Sequence, residues 1–115
     1  MIQAIANDSV RWTDLRSVDM PVLRSFVVRN ADSGQTVSMT TESVDGRSRL
    51  EMTYVGVVEL QVSWPEFPVP AQLDVVDIAE VAAHQLENIN YRVAEGSGFF
   101  AFWCSDFIAV AIRDN

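Results

Sequence analysis

Between residues 50 and 64 the chain keeps an alternating pattern longer than an ordinary strand. Leu50, Met52, Tyr54, Val58, Leu60, Val62 and Trp64 occupy even positions, and Gly56 continues the phase. Glu51, Thr53, Glu59, Gln61 and Ser63 occupy odd positions, interrupted only by Val55 and Val57. Successive side chains of a strand point to opposite faces, so this alternation predicts one amphipathic strand. At about 3.3 Å per residue it would extend roughly 50 Å, well beyond the usual ~20 Å. Such a strand has to bend, and Gly56 is the expected place.

The same reading extends outward from that strand. Residues 23–29 are rich in β-formers (Phe26, Val27, Val28), residues 30–34 carry turn chemistry, and residues 35–43 alternate through Val37 and Met39. Asp45-Gly46 is a two-residue hairpin signal. A three-strand antiparallel meander follows from these segments. Upstream, Asp8 and Ser9 are placed to cap a short helix over residues 10–17, with Trp12 and Leu15 inward and Pro21 closing the segment. Pro65, Pro68 and Pro70 cannot donate to a central ladder, so residues 65–70 read as an extended connection. Residues 73–76 read as a brief strand.

Residues 77–88 fit helical periodicity. Ile78, Val81, Ala82, Gln85, Leu86 and Ile89 share one face, and Asp77, Glu80, His84 and Glu87 lie opposite. Asp77 with Glu80 also matches a capping box. Residues 91–94 read as a strand, and residues 95–98 as a hairpin turn. Residues 99–112 are apolar on both parities, which suits a strand buried on both sides or lying in an interface. Ser105-Asp106 either continues that strand or splits it in two. The expected fold is a single α+β domain over residues 1–115, mainly antiparallel sheet with one amphipathic helix packed on it.

Charge sharpens this picture. All eight basic residues are arginine, and the net charge is −8. Residues 50–91 contain Glu51, Glu59, Glu66, Asp74, Asp77, Glu80 and Glu87 and no base, so nearly all of the imbalance comes from that block. Nucleic-acid recognition usually begins with a basic footprint, so nucleic acid is not an expected partner. A basic protein is, because complementary fields speed encounter. Neither a signal peptide nor a membrane helix is expected, since no charged start precedes an apolar run and residues 98–112 are too short. With Cys104 as the single cysteine, a reduced cytoplasmic setting is the default.

Candidate chemistry is sparse. Glu80, His84 and Glu87 have spacings that would put two carboxylates and an imidazole on one helical face, a weak metal set. A solvated helix face explains the same residues more simply, so no metal, cofactor or catalytic residue is assigned. Cys104 with His84 and Asp106 would be a thiol nucleophile, but a cysteine inside an aromatic strand usually behaves as a buried hydrophobe. Arg92, the only base between Arg49 and Arg113, is expected to pair with a carboxylate on a neighbouring strand. The partner-binding candidates are Glu51, Glu59, Glu66 and Phe67, the last an aromatic set between prolines. Phe99, Trp103, Phe107 and Ile108 are the candidates for an interface between copies of the chain.

Residues 73–78 (LDVVDI), 85–93 (QLENINYRV) and 102–107 (FWCSDF) resemble small uncharacterised bacterial proteins, some of them similar to immunity proteins of toxin systems. The resemblance covers the C-terminal third and names no catalytic residues. It implies a non-enzymatic binding protein, toxin-neutralising or regulatory. The readings that follow are a protein-binding module with an acidic surface, a homo-oligomer sealed by the apolar C-terminal strand, and a small metal-assisted or thiol hydrolase.

Overall fold

The computed structural model describes residues 1–32, 34–63, 71–81 and 89–114. Strand β1 (Ile2–Ala6) leads into a short helix α1 (Ser9–Trp12), followed by 3-10 turns at Thr13–Leu15 and Ser17–Asp19. Strands β2 (Val22–Ala31), β3 (Gly34–Glu42) and β4 (Ser48–Val62) form the expected meander. The remaining strands are β5 (Ala71–Gln72), β6 (Val76–Glu80), β7 (Tyr91–Glu95), β8 (Phe100–Cys104) and β9 (Asp106–Arg113). The described strands pair antiparallel throughout.

The sheet divides at β4. Residues 48–55 of β4 pair with β9, while residues 58–62 pair with β8. One wing therefore runs β5-β2-β3-β4-β9-β1 and the other β4-β8-β7-β6. Their inner faces meet through aromatic pairs, each worth about 1 kcal/mol beyond its buried area. Tyr54 stands edge-on to Phe102 at 5.0 Å, and Tyr91 edge-on to Phe107 at 5.0 Å. Phe26 meets Phe100 at 5.5 Å.

Two kinks build this division. Gly56 has φ +65, a conformation that side-chain-bearing residues rarely adopt, and a Cβ there would strike Ser105 Oγ. Opposite it, Ser105 breaks the C-terminal run into two strands, and its N–H and Oγ both donate to Val55 O at 3.0 Å. Each kink shifts the side-chain phase by one. In β4 the buried set is Leu50, Met52 and Tyr54, then Val57; Val58 turns outward beside Trp103, contrary to the unbroken alternation expected there, and a further register shift before Gln61 puts Val62 opposite buried Phe100. In the C-terminal run the buried set is Phe100, Phe102 and Cys104, then Phe107, Ala109 and Ala111. An inserted residue moves every later side chain to the other face, which explains why this run is apolar on both parities.

The fold is thus mostly antiparallel β, and its one described α-helix is the short N-terminal one, not the amphipathic helix expected from residue 77. Asp77, Ile78, Ala79 and Glu80 lie in strand β6, paired with β7 from Val76↔Glu95 to Glu80↔Tyr91. Val76 and Ile78 point inward with Asp77 and Ala79 outward, so this short segment satisfies a period of two as well as a helical one. Pairing with β7 decides between them. Residues 82–88, the rest of the expected helix, lie outside the described residues.

The N-terminal segment follows expectation more closely. Asp8 caps α1 by accepting from the Arg11 N–H at 2.9 Å, and Trp12 and Leu15 are buried. The Trp12 indole N–H donates to Val76 O at 2.9 Å, so α1 covers part of the β6 edge. The β3–β4 connection is wider than a two-residue turn. Ser43 N–H donates to Ser48 O at 2.9 Å around a loop in which Gly46, at φ +76, supplies the left-handed residue.

Candidate functional site

The second wing presents an outer face built by two rows of cross-strand neighbours. One row runs Ala79–Arg92–Trp103–Val58, and the next runs Asp77–Ala94–Ala101–Gln61. The intervening residues of β7 and β8, Tyr91, Val93, Phe102 and Cys104, are buried, which directs these rows away from the core. Val58 is 40% exposed, Arg92 is exposed and Trp103 is half-buried.

Arg92 lies over the Trp103 ring, with Cζ 5.4 Å from the ring centroid. Such a contact is worth about 0.5–1 kcal/mol at an exposed site. Among the described residues the ion pairs are Arg16–Asp19, Arg24–Glu42, Arg49–Glu51 and Arg113–Asp19. Arg92 belongs to none of them, so the carboxylate expected beside it is replaced by an aromatic ring. Its cross-strand neighbours, Ala79 and Trp103, offer no acid.

Carboxylates border this face on both sides. Glu59 is exposed on β4, in a left-handed conformation (φ 53) where the β4–β8 register shifts. Asp77 is exposed on β6 in the second row, whereas Glu80, opposite buried Tyr91, takes the other side of the strand. From β4 to β6 there are three strand spacings, or about 14 Å. Around the β7 start, burial first, and then the charges of Glu80 and Asp106, hold the Tyr91 hydroxyl above its ordinary pKa. That hydroxyl donates to Asn7 O at 2.8 Å. Asn7 is itself left-handed (φ 53), accepts from the Phe107 N–H at 2.8 Å and donates to Asp106 at 3.1 Å.

A second carboxylate works from inside. Glu95 is buried, and its oxygens accept from the N–H groups of Asp74 at 2.6 Å, Ser97 at 2.7 Å and Phe99 at 3.0 Å. It pins the approach to β6 onto the β7–β8 hairpin and so sets the position of both rows. A Cβ at Gly96 would lie 2.9 Å from Asp74 Oδ2, so that exposed side chain would have to shift. Sequence reasoning read Glu95 only as turn chemistry; its one signal was an acid directly before Gly-Ser-Gly.

The remaining sequence candidates are dispersed. Glu51 lies on the outer face of the first wing, 3.7 Å from Arg49, and is set apart from Glu59 by the Gly56 kink. Glu66, Phe67, His84 and Glu87 lie outside the described residues. Glu80 is in a strand, so the helical face that would align it with His84 and Glu87 does not begin there. Among the described residues no group of three His, Cys, Asp or Glu side chains is placed to hold a metal. Cys104 is fully buried, and burial, with the Asp106 charge, pushes its thiol up to about 12, so it is not a thiolate at neutral pH. Phe107 is fully buried in the core, Phe99 is half-buried against it, and Ile108 is 52% exposed on the first wing. The interface candidates therefore do not share one surface. No helix among the described residues is long and apolar enough to cross a membrane.

The family model for immunity protein PIM8 matches residues 13–110. The chain belongs to that family. The match runs from the 3-10 turn after α1 through most of β9, so the likeness to immunity proteins is not confined to the C-terminal third of this PIM8-family chain. No curated protein and no solved structure matches the chain.

Proposed function

We propose that this chain is a toxin-neutralising immunity protein that binds a basic protein toxin through an acidic surface, without catalysing a reaction. The family match over residues 13–110 carries the reading. The net charge of −8 and the carboxylates Glu59 and Asp77 around the outer face of the second wing support it. Glu51 adds to the same field from the first wing, and Glu66 and Phe67 are assigned to the contact from the sequence pattern. Acidic surfaces of this kind act mainly on encounter rate and partner choice.

The test is capture from source-cell lysate on the immobilised chain, washed at low and at high salt, with retained proteins identified by mass spectrometry. A basic toxin held at low salt and released at high salt is expected. Reversing Glu51, Glu59 and Glu66 to lysine is expected to weaken that capture and flatten its salt dependence. Unchanged affinity and unchanged salt dependence would refute the acidic contact.

A second reading is self-association through the first wing. It is favoured by Ile2, Val55 and Ile108, which are 70%, 43% and 52% exposed on that wing. An oligomer in sedimentation that Ile108→Asp dissociates is the expected result, and a monomeric parent would exclude it.

A further inference from the structure

We infer that Arg92, held on Trp103, is the anchor of the toxin contact: it receives a carboxylate from the centre of an otherwise basic partner surface. The inference rests on the toxin-binding reading above and names the face and the chemistry it takes.

Three observations converge. Arg92 has no acidic partner among the described residues, although sixteen acids share the chain with it. Its guanidinium is nonetheless held in place, 5.4 Å from the Trp103 ring centroid, on a sheet whose register fixes both side chains. A held arginine loses less conformational freedom on binding than a free one, and keeps its planar fork of N–H donors for a carboxylate. Around it the face changes character outward: apolar at Val58, Ala79, Ala94 and Ala101, then acidic at Glu59 and Asp77. Arginine and tryptophan are the residue types that dominate binding energy at the centre of interfaces, with charged rims contributing rate.

Charge complementarity then specifies the occupant. A uniformly basic surface would be attracted by the rim and repelled at Arg92. A basic surface with one acid at its centre satisfies both. This arrangement also rejects basic proteins that lack the central acid, which gives discrimination as well as attraction.

The experiment uses the full chain and, as probe, the basic protein that the parent retains in the lysate capture. Affinity is measured for the parent, Arg92→Glu, Arg92→Lys, Trp103→Phe and Arg47→Glu, with thermal melts of each. Arg47 is exposed in the β3–β4 turn, at the far end of β4, and matches the charge change of Arg92→Glu. Arg92→Glu is expected to weaken binding about a hundredfold or more, and Arg92→Lys about tenfold, while Arg47→Glu leaves it nearly unchanged. Replacing the partner's facing carboxylate with lysine is expected to restore binding to Arg92→Glu. Equal binding by the parent and Arg92→Glu, with the basic protein still captured, overturns this inference and leaves the toxin-binding reading standing. Failure to retain any basic protein, or retention of only a second copy of the chain, overturns both. Arg92 is exposed, so its variants keep the test valid if Trp103→Phe perturbs folding.

Discussion

The two halves of β4 are built from the same kind of sequence and end in different environments. Before Gly56, Leu50, Met52 and Tyr54 are sealed between the wings. After it, Val58 is 40% exposed on the outside of the second wing, opposite Trp103. Alternation states that a strand has two faces; it does not state which face is covered once a kink has inserted a residue. The C-terminal run repeats the lesson at Ser105, where burial passes from even to odd positions. The two kinks oppose each other, so each wing keeps its apolar side inward.

Breaking the corner itself has the largest expected effect. Gly56→Val imposes a left-handed backbone on a β-branched residue and drives its Cβ into Ser105. A loss of about 4 kcal/mol or more in chemical denaturation is expected. In a Ser105→Gly background the steric part should be relieved and the backbone part remain, so the two substitutions should be strongly non-additive. Additive losses would mean that the two kinks are independent.

Truncation on either side of the kink sharpens the contrast. Leu50→Ala is expected to cost about 3 kcal/mol, and Val58→Ala at most about 1 kcal/mol. Similar losses at both positions, measured by urea unfolding, would contradict the change of phase.

The fully buried Cys104 ends the second-wing set, and its titration tests how dry the join is. Its thiol is raised from 9.0 to about 12, first by burial and then by the Asp106 charge. The folded state therefore holds the proton more tightly than the unfolded state. Stability from this group is complete below pH 9 and falls as pH rises from about 9 toward 12, by up to about 1.4 kcal/mol per pH unit. Cys104→Ala should show a shallower alkaline decline than the parent, and native Cys104 should resist thiol reagents until the chain unfolds. Rapid native labelling would mean that the join between the wings opens to solvent.

The smallest effect concerns Tyr54, whose hydroxyl is buried with no hydrogen-bond partner among the described residues. Burial raises its pKa strongly, with the Cys104 charge adding to the effect. Removing an unsatisfied group frees its desolvation cost, so Tyr54→Phe should be neutral or stabilising by up to about 1 kcal/mol. A clear destabilisation would reveal a partner for the hydroxyl.

Much of the fold was legible along the chain for local reasons. The β2–β3–β4 meander follows from alternation and turn residues, and the capped N-terminal turn from Asp8 with Trp12 and Leu15 at inward spacing. Gly56 was readable as the bend because a strand of that length cannot stay straight in a domain this small. Residues 77–80 were misread because four residues satisfy either period, and only β7 alongside them favours the strand. Of the proposed binding face, Glu59 was named from the sequence pattern but its centre was not. Nothing in the order of residues says that Arg92 and Trp103 stand opposite each other, or that Glu95 turns inward to hold three backbone N–H groups.

By itself, then, the sequence determined an acidic, antiparallel β chain with a forced bend in its longest strand, because alternation, turn propensity and charge are local or additive properties. Only the tertiary structure decided that Gly56 faces Ser105, which side of each strand is covered, and which residues meet on the second wing. Those depend on register between strands far apart in the chain, where a shift of one residue exchanges core for surface.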